Sequence, residues 1–97
     1  MANSFLRGAT VICSIEVYDK NGVLTDPTTS MKIDIYDPVW VLKANKVDMV
    51  KDDPPVTGKY YYDFVTSATD SKGIYRVYYW ATSGSRVSSS FDTMELT

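Results

Sequence analysis

The chain has 97 residues, 44% hydrophobic and 23% charged, a composition typical of one soluble globular domain. Its net charge of −2 and scattered basic residues argue against nucleic acid as a main partner, because phosphate binding needs clustered lysine and arginine. With no histidine, the chain lacks the usual general base and the usual zinc ligand. With a single cysteine, Cys13, it cannot form an internal disulfide. The sequence therefore predicts a single domain over residues 1–97.

The N-terminal stretch MANSFLRGAT has neither the basic start nor the apolar run of a cleaved signal peptide. The longest apolar stretches of the chain are also far shorter than a membrane span. We therefore expect cytoplasmic synthesis without membrane insertion. The protein then either stays in the producing cell or leaves it without a cleaved signal, as a virus particle does on lysis.

Residues 10–18 and 30–36 each alternate apolar and polar side chains, which is the period of a strand with one buried face. We expect the apolar members to point inward: Val11, Cys13, Ile15, Val17, Met31, Ile33 and Ile35. Tyr36 then points outward. The dipeptides Asn21-Gly22 and Asp37-Pro38 follow these stretches and predict a turn and a strand end, because proline cannot donate to a ladder.

The middle of the chain predicts two further short strands. Residues 39–43, which include Trp40, form the first, and Ala44-Asn45 is predicted to be a turn. Residues 46–50 form the second, a short strand at a sheet edge. Residues 51–55, KDDPP, are expected to be irregular because of their two prolines.

Two related segments follow, GKYYYDF at residues 58–64 and GIYRVYY at residues 73–79. Each begins with glycine and has tyrosine two residues later, and we call them the tyrosine cassettes. They predict strands over residues 59–66 and 74–82 whose inward side chains are Tyr60, Tyr62, Phe64, Tyr75, Val77, Tyr79 and Ala81. The glycine is expected to allow a sharp turn into the strand, and the tyrosine to fill the core with its ring and tie a loop with its hydroxyl.

Residues 86–96 predict a last strand, entered through a turn at Ser83-Gly84-Ser85. Val87, Ser89 and Phe91 are expected to point inward in this strand. The apolar phase then changes, which predicts a bulge near Asp92-Thr93. Seven or eight short strands with regular turn signals, and no helical periodicity, predict an all-β protein, an antiparallel β-sandwich.

Four segments taken together carry a family resemblance: IEVYDKNG, KIDIYDP, TGKYYYDF and SKGIYRVYYWATSG. With them the chain resembles the Ig-like modules of bacteriophage virion proteins and of prokaryotic surface or macroglobulin-like proteins. The resemblance implies an Ig-like sandwich of seven to eight strands without a disulfide, in which Cys13 and Val77 stand where paired cysteines would stand. It implies that Tyr75 is a corner tyrosine, and that the protein has a structural role. It departs from antibody domains because the core tryptophan is missing.

The candidate reactive groups lack the partners that catalysis needs. Cys13 is predicted to be inward and has no histidine to activate it, so we expect a buried small side chain. The adjacent carboxylates Asp52 and Asp53 are expected to lie in an exposed loop and to solvate the chain. A weak calcium site between loops is an alternative, with oxygen ligands from Asp19, Asp26, Asp52 or Asp53. The sequence otherwise predicts no catalytic residue, no cofactor and no metal.

Outward-facing aromatic residues form the most informative surface feature of the sequence. Together with one arginine they make a candidate interface: Tyr61, Arg76, Tyr78, Trp80, Trp40 and Tyr36. Tyr61 belongs to it if the two cassette strands pair. Three interpretations are open: the rings cover the sheet locally, they contact copies of the protein or a larger assembly, or they stack on sugars. We expect a non-enzymatic subunit or decoration module of a virion, and a carbohydrate-binding module is the alternative.

Overall fold

The computed structural model describes residues 3–52 and 56–97, which form eight strands and no helix. The strands are β1 (Asn3–Phe5), β2 (Thr10–Glu16), β3 (Ser30–Tyr36), β4 (Leu42–Asp48), β5 (Val50–Lys51), β6 (Lys59–Val65), β7 (Gly73–Ser83) and β8 (Arg86–Leu96). The prediction of an all-β protein is thereby confirmed.

The strands form two sheets. The larger sheet has the order β1-β8-β7-β3-β4, and the smaller sheet has the order β2-β6-β5. Each paired strand runs antiparallel to its neighbour except β1, which pairs parallel to β8 with Asn3 opposite Met94. The predicted fully antiparallel arrangement is therefore wrong at this edge, because the first strand lies beside the last.

The core lies between the two sheets and takes side chains from both. The buried hydrophobic side chains in the described residues are Val11, Cys13, Met31, Ile33, Ile35, Ala44, Met49, Phe64, Tyr75, Val77, Tyr79, Met94 and Leu96. Partly buried side chains pack against them, among them Ile15, Val17, Tyr60, Tyr62 and Ala81. The inward phases predicted for β2, β3, β6 and β7 are confirmed, because each of these strands buries one face of its period-two pattern.

The tyrosine cassettes tie loops to the core as expected. Tyr75 is completely buried, and its hydroxyl donates to the carbonyl of Ser71 at 2.9 Å. The hydroxyl of Tyr60 donates to Oδ1 of Asp26 at 3.2 Å. Gly58 has a φ of +78°, and a Cβ there would lie 2.8 Å from the carbonyl oxygen of Val17. Glycine is thus required at this turn by both the backbone conformation and the close approach of the backbone that follows β2.

Strands do lie at the sheet edges between residues 39 and 50, but the predicted boundaries and turn are wrong. The turn comes earlier, because Oδ1 of Asp37 accepts hydrogen bonds from the amides of Val39 at 3.0 Å and Val41 at 2.8 Å. Trp40 occupies this turn with a φ of +66°. The predicted turn at Ala44-Asn45 lies inside β4, where Ala44 is buried opposite Ile35 and the ladder accommodates two register shifts.

The chain then passes from the larger to the smaller sheet within the predicted strand 46–50. β4 ends at Asp48, and β5 begins at Val50. Lys51 pairs with Tyr60, so the stretch expected to be irregular starts one residue later than predicted. Residues 53–55 lie outside the described part of the chain.

The predicted phase of the last strand is also wrong. β7 and β8 pair without a register shift from Ser83–Arg86 to Gly73–Leu96, so there is no bulge at residues 92–93. In an unbroken antiparallel pair, opposite residues share a face of the sheet, and Phe91 lies opposite the outward-facing Tyr78. Val87 and Phe91, expected to be inward, are therefore on the outer face and are 59% and 54% exposed.

Candidate functional site

The outer side of the larger sheet carries a continuous group of rings, which we call the outer aromatic face: Tyr36, Trp40, Tyr78, Trp80 and Phe91. Strands β3, β7 and β8 supply four of the rings, and the turn after β3 supplies Trp40. Neighbouring ring centroids are 5.1 to 6.5 Å apart. At such distances tilted and edge-on rings attract one another, so the rings hold each other in place.

Two cations lie on the indole rings of this face. The guanidinium carbon of Arg76 is 4.2 Å from the centroid of the Trp40 ring. Nζ of Lys46 is 5.3 Å from the centroid of the Trp80 ring. Both distances are within the range of a cation–π contact. Two features bring Arg76 onto Trp40. The backbone of Trp40 has a positive φ, and Arg76 lies opposite Tyr36 in the β3–β7 ladder.

The buried carboxylate of Asp34 forms hydrogen bonds to two residues of the outer aromatic face, Trp80 and Lys46. Asp34 is 4% exposed, and its Oδ2 accepts a hydrogen bond from Nε1 of Trp80 at 2.8 Å. Its Oδ1 accepts one from the backbone amide of Lys46 at 2.5 Å. Asp34 thus orients the Trp80 ring and holds the bulged part of β4 against the sheet. A shallow depression of about 230 Å³ lies here, lined by Asp34, Tyr36, Trp40, Tyr78 and Trp80.

Exposure is unequal across the outer aromatic face. Trp40 and Phe91 are each 54% exposed, whereas Tyr36, Tyr78 and Trp80 are half-buried under their neighbours. The rings therefore cover each other in part, and the accessible apolar surface is greatest at the two ends of the face. Such a surface can bind another molecule through ring contacts and through the two cations that lie on its rings.

Five of the six predicted interface residues come together here, and Tyr61 does not. The two cassette strands do not pair: β6 belongs to the smaller sheet and β7 to the larger. Tyr61 lies between Ser14 of β2 and Val50 of β5, in the other sheet. The repeated local pattern of the cassettes reflects equivalent burial in two facing sheets, and it carries no information on which strands are neighbours.

Three further residues of this face are not among the predicted interface residues: Phe91, Asp34 and Lys46. A signal for Phe91 is present in the sequence, because Gly84-Ser85 forms a two-residue hairpin turn between Ser83 and Arg86. Counting back from that turn places residue 91 opposite residue 78. The bulge that brings Lys46 to Trp80 has no comparable sequence signal.

The other candidate groups are engaged in structural contacts. Cys13 is buried as predicted, and burial, with smaller contributions from Asp92 and Asp63, raises the pKa of its thiol to about 11. A thiol with this pKa is almost entirely protonated near neutral pH, when it is a poor nucleophile.

Two of the four carboxylates considered for calcium, those of Asp19 and Asp26, have partners in the chain. Oδ1 of Asp19 accepts bonds from the amides of Asn21 and Val23 at 2.8 and 3.0 Å. Asp26 pairs with Nζ of Lys51 at 2.6 Å, and this hydrogen bond above all lowers the pKa of the Asp26 carboxyl. In residues 3–52 and 56–97 no three acidic or cysteine side chains are grouped closely enough to hold a metal. Asp53 lies outside these ranges.

Comparison with protein families, with curated proteins and with solved structures produced no match to this chain. The described residues also contain no helix of the length and apolarity needed to cross a membrane.

Proposed function

We propose that the chain is a non-enzymatic structural or decoration subunit of a virion or comparable extracellular assembly, and that it packs against neighbouring subunits through the outer aromatic face. The observation that carries the proposal is the continuity of five rings on one sheet face, with Trp40 and Phe91 more than half exposed. A contiguous aromatic surface of this kind marks interaction sites more often than free surface.

The composition and rigidity of the face suit protein contacts. Tyrosine, tryptophan and arginine are the residues that most often dominate interface energy. Arg76 is already stacked on Trp40, and Trp80 is already held by Asp34. Because these side chains are ordered before binding, association loses less side-chain entropy than it would with mobile side chains.

We infer further that the two sheets form an Ig-like sandwich. The orders β8-β7-β3-β4 and β2-β6-β5 correspond to the G-F-C-C′ and B-E-D orders of that fold. Tyr75 lies near the start of β7, and its hydroxyl bonds back to Ser71 four residues upstream, as a corner tyrosine does. Two residues later on β7, Val77 is buried, and Cys13 is buried on β2. These two strands correspond to the ones that carry the disulfide in antibody domains.

The test uses a double variant, Trp40→Ser with Phe91→Ser, in which serine replaces the two most exposed rings of the outer aromatic face. Trp80 is left in place because its indole nitrogen satisfies the buried Asp34. The double variant is expected to fold, since both side chains lie outside the core, and to lose at least about 2 kcal/mol of association free energy, the usual hot-spot threshold. That loss is a weakening of about 30-fold. Sedimentation equilibrium and co-assembly with wild-type protein measure it.

The matched control is Val65→Ser, which removes a 72% exposed hydrophobic side chain from the smaller sheet. It is expected to associate like wild type. Unchanged association of a Trp40/Phe91 variant whose circular dichroism matches wild type would remove the outer aromatic face from the interface. Equal weakening by Val65→Ser would show that the loss reflects general surface hydrophobicity.

Carbohydrate binding is a second candidate, favoured by one feature of the face. The rings of Tyr78 and Trp80 are inclined by only 25° and line the same depression, so they offer a platform on which a sugar ring can stack. A glycan array separates the two proposals. Binding of a defined glycan by wild type, without any protein association, would favour the carbohydrate-binding module.

A further inference from the structure

The free edge of β2 differs from the other three sheet edges in the described residues. β2 pairs only with β6, is seven residues long and has no register shift. β4 is interrupted by two register shifts, and β5 and β1 are only two and three residues long. Bulges and short length are the usual protection of a sheet edge against pairing with another chain. β2 has neither, and the exposed Ile12 lies at its centre.

The backbone of β2 presents a regular set of hydrogen-bonding groups at this edge. The amide of Val17 donates to Gly58, and Ala9 accepts from the amide of Thr66, so odd-numbered residues bond to the β6 side. Bonding directions alternate along an antiparallel strand. The N–H and C=O groups of the even-numbered residues therefore point away from β6: Thr10, Ile12, Ser14 and Glu16. Only an extended polypeptide matches this spacing of donors and acceptors.

Beside the free edge of β2, the space between the two sheets is accessible from solvent. The smaller sheet does not cover residues 86–92 of β8, where Ser90 and Asp92 remain exposed although they lie opposite the buried Tyr79 and Val77. Two clefts of about 160 and 110 Å³ lie along β2 at this opening. Their linings include side chains that pack in or against the core: Ile15, Met31, Tyr79 and Ala81 in the first, and Val11, Cys13, Val77 and Met94 in the second.

We propose that the free edge of β2 accepts an extended segment of another polypeptide, which adds a strand to the smaller sheet. Its alternate apolar side chains enter the two clefts. Residues 11–14 line one cleft and residues 15–18 line the other, so the inserted side chains lie about four residues apart along the added strand, which rises about 3.4 Å per residue. β-Strand addition of this kind combines main-chain bonds for affinity with side-chain clefts for specificity.

The charges at the opening define the segment further. The charged residues that line the clefts are Glu16 and Asp92, both acidic. Glu16 is shared with Lys59, whose Nζ is 3.4 Å from its Oε2, so Asp92 contributes most of the acidic character of the opening. A segment with basic residues beside its apolar ones is therefore favoured. The β2 strand of a second copy does not fit, because its own inward side chains Val11 and Cys13 are already buried in its core.

The first test uses a nine-residue peptide of alternating valine and threonine with a lysine at each end, and a scrambled peptide as control. Amide hydrogen exchange is followed by NMR. The alternating peptide is expected to slow exchange at Ile12 and Ser14 at least about tenfold, the sign of new hydrogen bonds. The amides of Val11 and Cys13, which already face β6, should change little. If about 1 mM peptide gave no protection, the dissociation constant would be weaker than about 1 mM, which corresponds to a binding free energy of only about 4 kcal/mol. That result would overturn the proposal. Protection that rises with protein concentration alone would overturn it in favour of self-pairing.

The second test blocks the cleft from β8 with Ser90→Tyr, which leaves the β2 backbone intact. The variant is expected to lose at least tenfold in peptide affinity. Val87→Tyr is the matched control, because Val87 lies opposite Thr82, its side chain points to the outer face and it is not among the residues that line the two clefts. Equal binding by both variants would contradict insertion into the cleft. The Trp40/Phe91 double variant should bind the peptide like wild type, so failure here and failure of the proposed function can be told apart.

Discussion

Replacing Tyr75 tests the role of the tyrosine cassettes most sharply, because the ring and the hydroxyl can be removed separately. The side chain is completely buried, and its ring centroid lies 6.0 Å from that of Phe64. Truncation to alanine removes the whole ring, and buried aromatic residues cost about 3–5 kcal/mol when truncated in this way. Tyr75→Phe removes only the 2.9 Å hydrogen bond to Ser71 and should cost about 0.5–1.5 kcal/mol.

Urea unfolding followed by circular dichroism measures both changes. Against a total stability of about 5–15 kcal/mol, the alanine variant should be strongly destabilised or unfolded at room temperature. Tyr18→Ala is the control, because Tyr18 is 54% exposed and should change stability by less than about 0.5 kcal/mol. If Tyr75→Ala remained within that same range, Tyr75 would not be the residue that ties the loop to the core.

The remaining predictions concern the thiol and the glycines. Cys13 should react slowly with a thiol reagent in the native protein and quickly in denaturant, and rapid native labelling would contradict its burial. Because its pKa rises from 9.0 to about 11 on folding, the thiol contributes stability that is complete below pH 9 and is lost as the pH rises through 11. Cys13→Val should therefore lose about 2 kcal/mol less stability than wild type between pH 8 and pH 11, and equal losses would contradict the shift. Gly58→Ala should destabilise more than Gly22→Ala: both glycines have a φ of +78°, but only at Gly58 would the new Cβ meet backbone, at 2.8 Å from Val17. Equal urea midpoints for the two variants would show that Val17 moves aside at no cost.

The sequence predicts which face of most strands is buried, and the physical reason is local. In β2, β3, β6 and β7 the apolar residues alternate, and alternation in an extended chain places them on one side whatever the neighbouring strand is. The inward positions of Cys13, Ile33 and Val77 follow from this rule alone. The same rule predicts that Tyr78 and Trp80 share the outer face.

The parts that could not be predicted depend on tertiary contacts. The turn after β3 is set by the Asp37 carboxylate, which bonds to amides two and four residues later and displaces the turn from Ala44-Asn45. The sheet to which β6 belongs cannot be read from its own sequence, and the condition on which Tyr61 joins the interface, pairing of the two cassette strands, is not met. The sequence predicts an inward Phe91 because apolar side chains are expected to face the core, whereas in the structure this ring extends the outer aromatic face.

Tryptophan fluorescence tests the central claim directly, because the chain has only two tryptophans and both Trp40 and Trp80 belong to the outer aromatic face. Acrylamide quenching is measured together with sedimentation as the protein concentration is raised to about 1 mM, where even contacts worth about 4 kcal/mol become populated. We expect quenching to decrease in step with association, since Trp40 goes from 54% exposed to covered. Association that leaves both tryptophans as accessible as in the dilute protein, or a chain that stays monomeric throughout, would contradict the proposal.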